Sequence, residues 1–209
     1  MGTITVSLRP KRSHSAYPGL MPRQTREQID EEIIDCAALL FARHGFAETS
    51  IQRVADAVGY SKSGLLRHYP SKEALQEEVV VRCLAELRDA LGEASGQAPG
   101  PRRDRTALTA LARLAMRRPG FIALLLATLL RDPVGGESVP LQPVADVIVE
   151  AFLLDPDADM DRVVRVAGAI GALAVARTAL GEHLLPDTAA GHLVDVSYDA
   201  LGHPGRPGH

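Results

Sequence analysis

Between Thr25 and Leu75 the chain sets out four helix starts and three stops in quick succession, and that punctuation constrains the fold more than any other feature. "TREQ" (Thr25 to Gln28) carries the Thr-x-x-Gln pattern whose two side chains satisfy free amides at a helix start. Ile29, Ile33, Ala37, Leu40 and Phe41 follow at helical spacing, and Gly45 ends the segment. Thr49 and Gln52 repeat the pattern for a second, short helix, with Ile51, Val54, Ala55 and Val58 on one face before Gly59. Ser61 caps a third helix running through His68, and Pro70 closes it by disfavouring helix at the residue before it. Ser71 caps a fourth, which extends to about Leu91.

Beyond it, "GEASGQAPGPRRD" (Gly92 to Asp104) has no apolar period and reads as a loop. Helices are then expected over 105–118, 119–131, 140–154, 159–182 and 187–201, separated by Pro- and Gly-containing turns. Strand-like alternation is absent, so the expected fold class is all-α. Its divisions are a disordered basic arm at 1–22, a compact helical unit at 23–71, a larger helical unit at 72–203 and a disordered tail at 204–209. The apolar run "FIALLLATLL" stops at Arg131, short of the roughly 20 residues of a membrane span. The opening residues lack the apolar core of a signal peptide, which points to the cytoplasm. Cys36 and Cys83 sit at no metal-ligand or disulfide spacing, consistent with a reducing compartment.

A net charge of -3 conceals an uneven distribution. Through residue 75 there are ten Lys/Arg against eight Asp/Glu, and after it thirteen against eighteen. Between Thr49 and Lys72 the bases are Arg53, Lys62, Arg67 and Lys72, with Asp56 the one acid. Two short helices joined by a glycine turn form a helix-turn-helix, whose second helix enters the major groove of DNA. Val54, Ala55 and Leu65 fit its packed side. Ser61, Lys62, Ser63, Arg67 and His68 are left facing outward as donors for phosphates and base edges.

The stretch "IIDCAALLFARHGFAETSIQRVADAVGYSKSGLLRHYPSKEALQEEV", Ile33 to Val79, resembles the DNA-binding region of TetR-family transcriptional regulators, including the "PSKEAL"-type start of the fourth helix. The resemblance implies an N-terminal three-helix DNA-binding domain and a larger helical domain for ligand binding and dimerisation. It implies DNA-backbone contacts for Thr49, Ser50, Gln52 and Arg53. Lys62, Ser63, Gly64, Leu66, Arg67 and His68 match the recognition surface, beside the Ser61 cap; Tyr69 matches a packing aromatic and Lys72 a phosphate clamp. Leu66 stands where the family usually has Tyr, which replaces a phenol contact with an apolar one suited to a thymine methyl. Gly64, often Thr in the family, weakens the helix by up to ~1 kcal/mol relative to Ala.

In the larger unit the all-round apolar segment from Phe121 to Leu130 must be buried. Leu87, Leu91, Leu114, Phe121, Leu125, Leu129, Val147, Ile148 and Phe152 are expected either to wall an aliphatic effector cavity or to form ordinary core, two linings of like composition. Arg113, Arg117 and Arg118 face an anion or, as the plainer alternative, solvent. The family's dimer is a four-helix bundle made from the last two long helices of each subunit. That implies a partner-facing set of Val164, Gly168, Gly171, Ala172, Val175, Val194 and Tyr198, against burial within one subunit.

The expected function is thus a sequence-specific regulator, a homodimeric repressor released from a near-palindromic operator by a small apolar effector, with no membrane partner. No cofactor, metal site or catalytic group is expected. His44, His183 and His192 lack paired ligands, and Leu65 and Leu66 stand where a phosphate-binding loop needs Lys and then Ser or Thr. Arg9, Lys11, Arg12 and Arg23 of the arm could add phosphate contacts or stay in a free tail. The rival classes are a non-repressing or architectural DNA-binding protein, and a small-molecule-binding helical protein with no specific DNA target.

Overall fold

The computed structural model describes residues 25–130, 141–155, 157, 159–180 and 186–203. The expected arm and tail, His183 and the side chain of Leu129 lie outside the described residues. Among the described residues there are nine helices and no strand: α1 (Arg26–His44), α2 (Ile51–Val58), α3 (Lys62–His68), α4 (Lys72–Ser95), α5 (Pro101–Arg117), α6 (Pro119–Leu130), α7 (Gln142–Phe152), α8 (Met160–Leu180) and α9 (Pro186–Ala200).

The local chemistry accounts for the ends. Thr25 and Gln28 close a reciprocal capping box on α1, and Gly45 at φ +80 ends it in a conformation that side chains resist. In α4, Leu75, Val79, Cys83, Leu87, Leu91 and Ala94 form one buried stripe. That stripe carries the helix past Gly92 to Ser95, a turn further than its glycine suggests. The expected loop shrinks from the other side as well, because Pro101 takes the first helical position of α5, where its missing N–H costs nothing.

Two polar joints lock the helices together. Arg103 and Asp104, at the start of α5, are 4% and 1% exposed. The Arg103 guanidinium donates to the carbonyls of Ser95 (3.0 Å) and Gln97 (2.7 Å) at the end of α4, and of Glu150 and Ala151 (both 2.7 Å) at the end of α7. A fork of donors meets the carbonyls at two helix C-termini, where the helical hydrogen-bond ladder runs out. Asp104 accepts from Arg162 (2.9 Å) and lies 2.8 Å from His203 Nε2, while Arg162 also donates to the Phe152 carbonyl (2.7 Å). These neighbouring side chains therefore join α4, α5, α7, α8 and the end of α9.

The second joint links α1 to α6, the most extensive helix pair of the fold. The Gly120 amide donates to Asp35 Oδ1 (3.0 Å), and a methyl at Gly120 would overlap the Asp35 carbonyl oxygen. Arg118 beside it pairs with Glu31 of α1 and Glu86 of α4, each at 3.0 Å. Burial raises the Asp35 carboxyl to about 6, against the opposing pull of the Gly120 amide and Arg118. One continuous apolar core runs from Ile33 in α1 to Leu201 beyond α9.

Replacing Arg103 with Met should strand several inward-facing carbonyls and lower stability by about 3 kcal/mol or more, read as a fall in the urea midpoint. Asp35 binds its proton more tightly folded than unfolded, so its contribution to stability rises as pH falls from above 6 towards 4. Asp35→Asn retains an acceptor for Gly120 without the buried charge. It should raise the urea midpoint at pH 7.5 and lessen the gain on going to pH 5.

Candidate nucleic-acid interface

The α2–α3 unit is assembled from its turns. Ser50, rather than Thr49, caps α2, its hydroxyl accepting from the Arg53 amide (3.1 Å). Thr49 is fully buried, and its hydroxyl donates to the carbonyls of Gly45 (2.7 Å) and Leu40 (3.3 Å). The Thr49 side chain thus latches the α1–α2 turn and is withdrawn from the set that can touch DNA. The Thr49–Gln52 spacing matches a capping box, but Gln52 turns to Asp56 and the residue after Thr49 supplies the cap.

Gly59 closes α2 in the left-handed region at φ +75, and the Tyr60 amide reaches back to the Ala55 carbonyl (2.8 Å). Ser61 then caps α3, accepting from the Gly64 amide (3.0 Å). A Cβ at Gly64 would come 3.1 Å from the Ser61 hydroxyl, so the glycine gives the cap room. Val54, Ala55 and Leu65, 0–1% exposed, plug the unit onto α1.

Three of the expected recognition side chains, Lys62, Ser63 and Arg67, are exposed on α3. Ser63 lies 3.2 Å from the Ser61 hydroxyl. Ser50, Gln52 and Arg53 are exposed on the first part of α2, where Gln52 donates to Asp56 (2.6 Å) and Arg53 reaches the Glu48 carbonyl (3.4 Å). Gly64 and Leu66 are half-buried.

His68 departs from the expected outward face. Its ring is half-buried, edge-on to Tyr60, beside Tyr69, and its Nδ1 is 3.6 Å from Asp30 of α1. Asp30 also lies 3.6 Å from Arg82, itself paired with Glu78 on α4. Tyr69 is 7% exposed, and burial together with the Asp30 carboxylate pushes its phenol up to about 12. The end of α3 is therefore anchored by Asp30 and Arg82, neither of which stands out in the sequence, since each sits on a helix face mixed with ordinary surface charge. Lys72 points its ammonium at the carbonyls of Phe46 (3.0 Å) and Ala47 (3.3 Å) and over the Phe46 ring (4.2 Å).

In the larger unit Leu87, Leu91, Leu114, Phe121, Leu125, Val147, Ile148 and Phe152 are 0–8% exposed and belong to the common core. An apolar gap of about 10 Å³, room for about one water, lies elsewhere, among Phe41, Phe46, Gln76, Val79, Val80, Leu124 and Leu141. Arg113 and Arg117 line a surface groove of about 520 Å³ between α4 and α5 with Asp89 and Glu93, while Arg118 is committed to its carboxylates.

On α8, Val164 (62%), Gly168 and Val175 (65%) are exposed along the helix, and Val196 of α9 (61%) is exposed as well. Gly171 and Ala172 are half-buried, with Leu126 of α6 facing Gly171. Val194 is 5% exposed, which removes it from the expected partner-facing set: it packs into its own subunit. Tyr198 is half-buried, stacked on His203 with Arg105 over its ring. Among the described residues no group of three His, Cys, Asp or Glu side chains is placed to hold a metal, and no helix is long and apolar enough to cross a membrane.

The model of bacterial regulatory proteins of the tetR family matches residues 33–79, which span α2, α3 and the adjoining parts of α1 and α4. An uncharacterised HTH-type transcriptional regulator of Mycobacterium tuberculosis (strain ATCC 25618 / H37Rv) is 30% identical over 141 residues, covering 66% of this chain and 68% of that protein. The HTH-type transcriptional repressor KstR2 of Rhodococcus jostii (strain RHA1) is 38% identical over 56 residues, covering 27% of this chain and 28% of the repressor. Among solved structures, a TetR-like transcriptional regulator from Rhodococcus sp. RHA1 shares the fold at a TM-score of 0.52 and 24% identity, over 87% of this chain and 100% of that one. A TetR-family transcriptional regulator from Bordetella parapertussis 12822 does so at 0.53 and 24%, over 83% and 95%. With its helix-turn-helix and its helical fold, the chain belongs to the TetR family of bacterial DNA-binding transcriptional regulators.

Proposed function

We propose that the protein is a homodimeric repressor that binds a near-palindromic operator and is released from it by a small apolar effector. Residues 23–71 form its DNA-binding unit and 72–203 its regulatory and dimerisation unit. The observation that carries the reading is the exposed donor set Arg53, Lys62, Ser63 and Arg67, presented by a helix pair whose opposite side is plugged into α1. Arg67 offers a planar fork for guanine or phosphate, and Lys62 a point charge for the backbone. Ser50 and Gln52 supply further contacts along the phosphates, and Leu66 an apolar contact to thymine.

The exposed valines of α8 and α9 support pairing through those helices, since a face with Val164, Gly168, Val175 and Val196 open to water gains by meeting its copy. Two recognition helices fixed one dimer apart would read two half-sites. Effector control follows if a ligand lodged among α4, α6 and α7 binds more tightly to the dimer whose half-site spacing no longer fits DNA. The aliphatic composition of that core favours an apolar compound.

Binding of the purified protein to the DNA flanking its own coding region, against shuffled DNA at fixed salt, tests operator recognition. Arg67→Ala should cost about 1–3 kcal/mol on the native fragment and little on the shuffled one; equal weak binding of both fragments by the unmodified protein would refute the reading. Val175→Glu should shift the protein towards monomer in sedimentation while leaving its helical spectrum intact, and weaken operator binding with it.

A further inference from the structure

We propose that Lys72 is a positioning residue: it ties the α1–α2 turn to the start of α4, and it serves DNA recognition by fixing how α2 and α3 are held rather than by neutralising a phosphate. The proposal rests on the reading of the protein as DNA-binding, and gives one of its bases a different task.

The geometry is specific. Lys72 is the first residue of α4, where a cation opposes the positive end of the helix dipole. A lysine at that position needs compensating acceptors, and its ammonium finds them inside the protein. Its donors meet the Phe46 carbonyl at 3.0 Å and the Ala47 carbonyl at 3.3 Å, with the Phe46 ring face 4.2 Å away. The Phe46 carbonyl also accepts from the Thr49 amide (3.2 Å), so a single oxygen joins Lys72 to the turn that Thr49 latches from below. Ser50, the next residue, caps α2. The chain of contact runs from α4 through Lys72 and Phe46 to the origin of α2, and from there across the Gly59 turn to α3.

The other end of the tie is equally firm. Phe46 packs at a tilt against Phe41 of α1 (5.4 Å between centroids) and lines the small apolar gap that Val79, Val80 and Leu124 share. A shift of α4 along its axis would carry the ammonium away from both carbonyls and the ring together. The basic residues left exposed on α2 and α3 are Arg53, Lys62 and Arg67, whereas Lys72 is half-buried.

The test uses the full-length protein and a duplex that it selects from a random pool. Lys72→Met keeps the aliphatic stem and removes the cation. It should weaken binding to the selected duplex by about tenfold, narrow the ratio of selected to shuffled binding, and leave the slope of log K against log salt unchanged. Amide exchange over residues 46–58 should quicken in the free protein, while that of 83–91 in α4 stays as before. Lys72→Arg should restore most of the affinity and the ratio. A slope reduced by about 0.9, the mark of one lost phosphate contact, would overturn the proposal. So would a fall in thermal stability with an unchanged ratio, which is what a merely structural lysine would give, or unaltered exchange over 46–58. If the unmodified protein retains no duplex at all, the DNA-binding reading itself fails and takes this role with it; a failure of the Lys72 proposal alone leaves that binding intact.

Discussion

The fold of the larger unit depends on a buried arginine that binds the C-terminal carbonyls of two helices at once. Helices that end inside a protein leave acceptors with no partner, and water cannot reach them. Arg103 meets four carbonyls at and just beyond the ends of α4 and α7 with the rigid fork that only a guanidinium provides. Asp104 does the complementary work one residue later, gathering Arg162 and His203. The apolar stripes of α4 to α9 fix which faces are inward, but those stripes tolerate sliding. A set of short, directional bonds at one end of the bundle removes that freedom.

A second constraint lies between the small unit and the large one. Α1 belongs to the helix-turn-helix unit by its contacts with α2, yet its most extensive neighbour is α6. Phe41, Ile33 and Ile34 thus serve both units, and the buried cluster is continuous between them. The helix-turn-helix pair is held less directly: α3 is anchored through Leu65 in the core and through His68 and Tyr69 beside Asp30, while α2 takes its origin from the Thr49 latch. Lys62 and Arg67 ride on this frame with their side chains exposed to solvent.

The helical punctuation was legible because caps and breakers act locally: Thr25, Ser61, Ser71, Gly45 and Gly59 each do in the structure what their chemistry dictates in a peptide. The exposed set of Lys62, Ser63 and Arg67 was legible for the same reason, since helical spacing alone puts them opposite Leu65. What was not legible depends on contacts between distant residues. Thr49 and Ser50 are both competent caps, and only the buried acceptors at Gly45 and Leu40 decide between them. "PRRD" (Pro101 to Asp104) read as loop because it carries no apolar period; apart from Ser95 and Gln97, the partners of Arg103 and Asp104 lie 47 to 99 residues away. His68 and Val194 depart from the expected faces because residues distant in sequence cover them: Asp30 of α1 stands beside His68, and Val194 packs into the common core.

The absence of a side chain at Gly120 has a mechanical meaning. With no Cβ there, the α6 backbone lies directly on that of α1, and a hydrogen bond from its amide to Asp35 crosses the contact. Packed helices ordinarily accommodate strain by sliding past one another on interleaved side chains, each yielding by a rotamer. Backbone against backbone has no such play. Axial shear between α1 and α6 is closed off at this point, so a displacement of either helix is passed directly to the other.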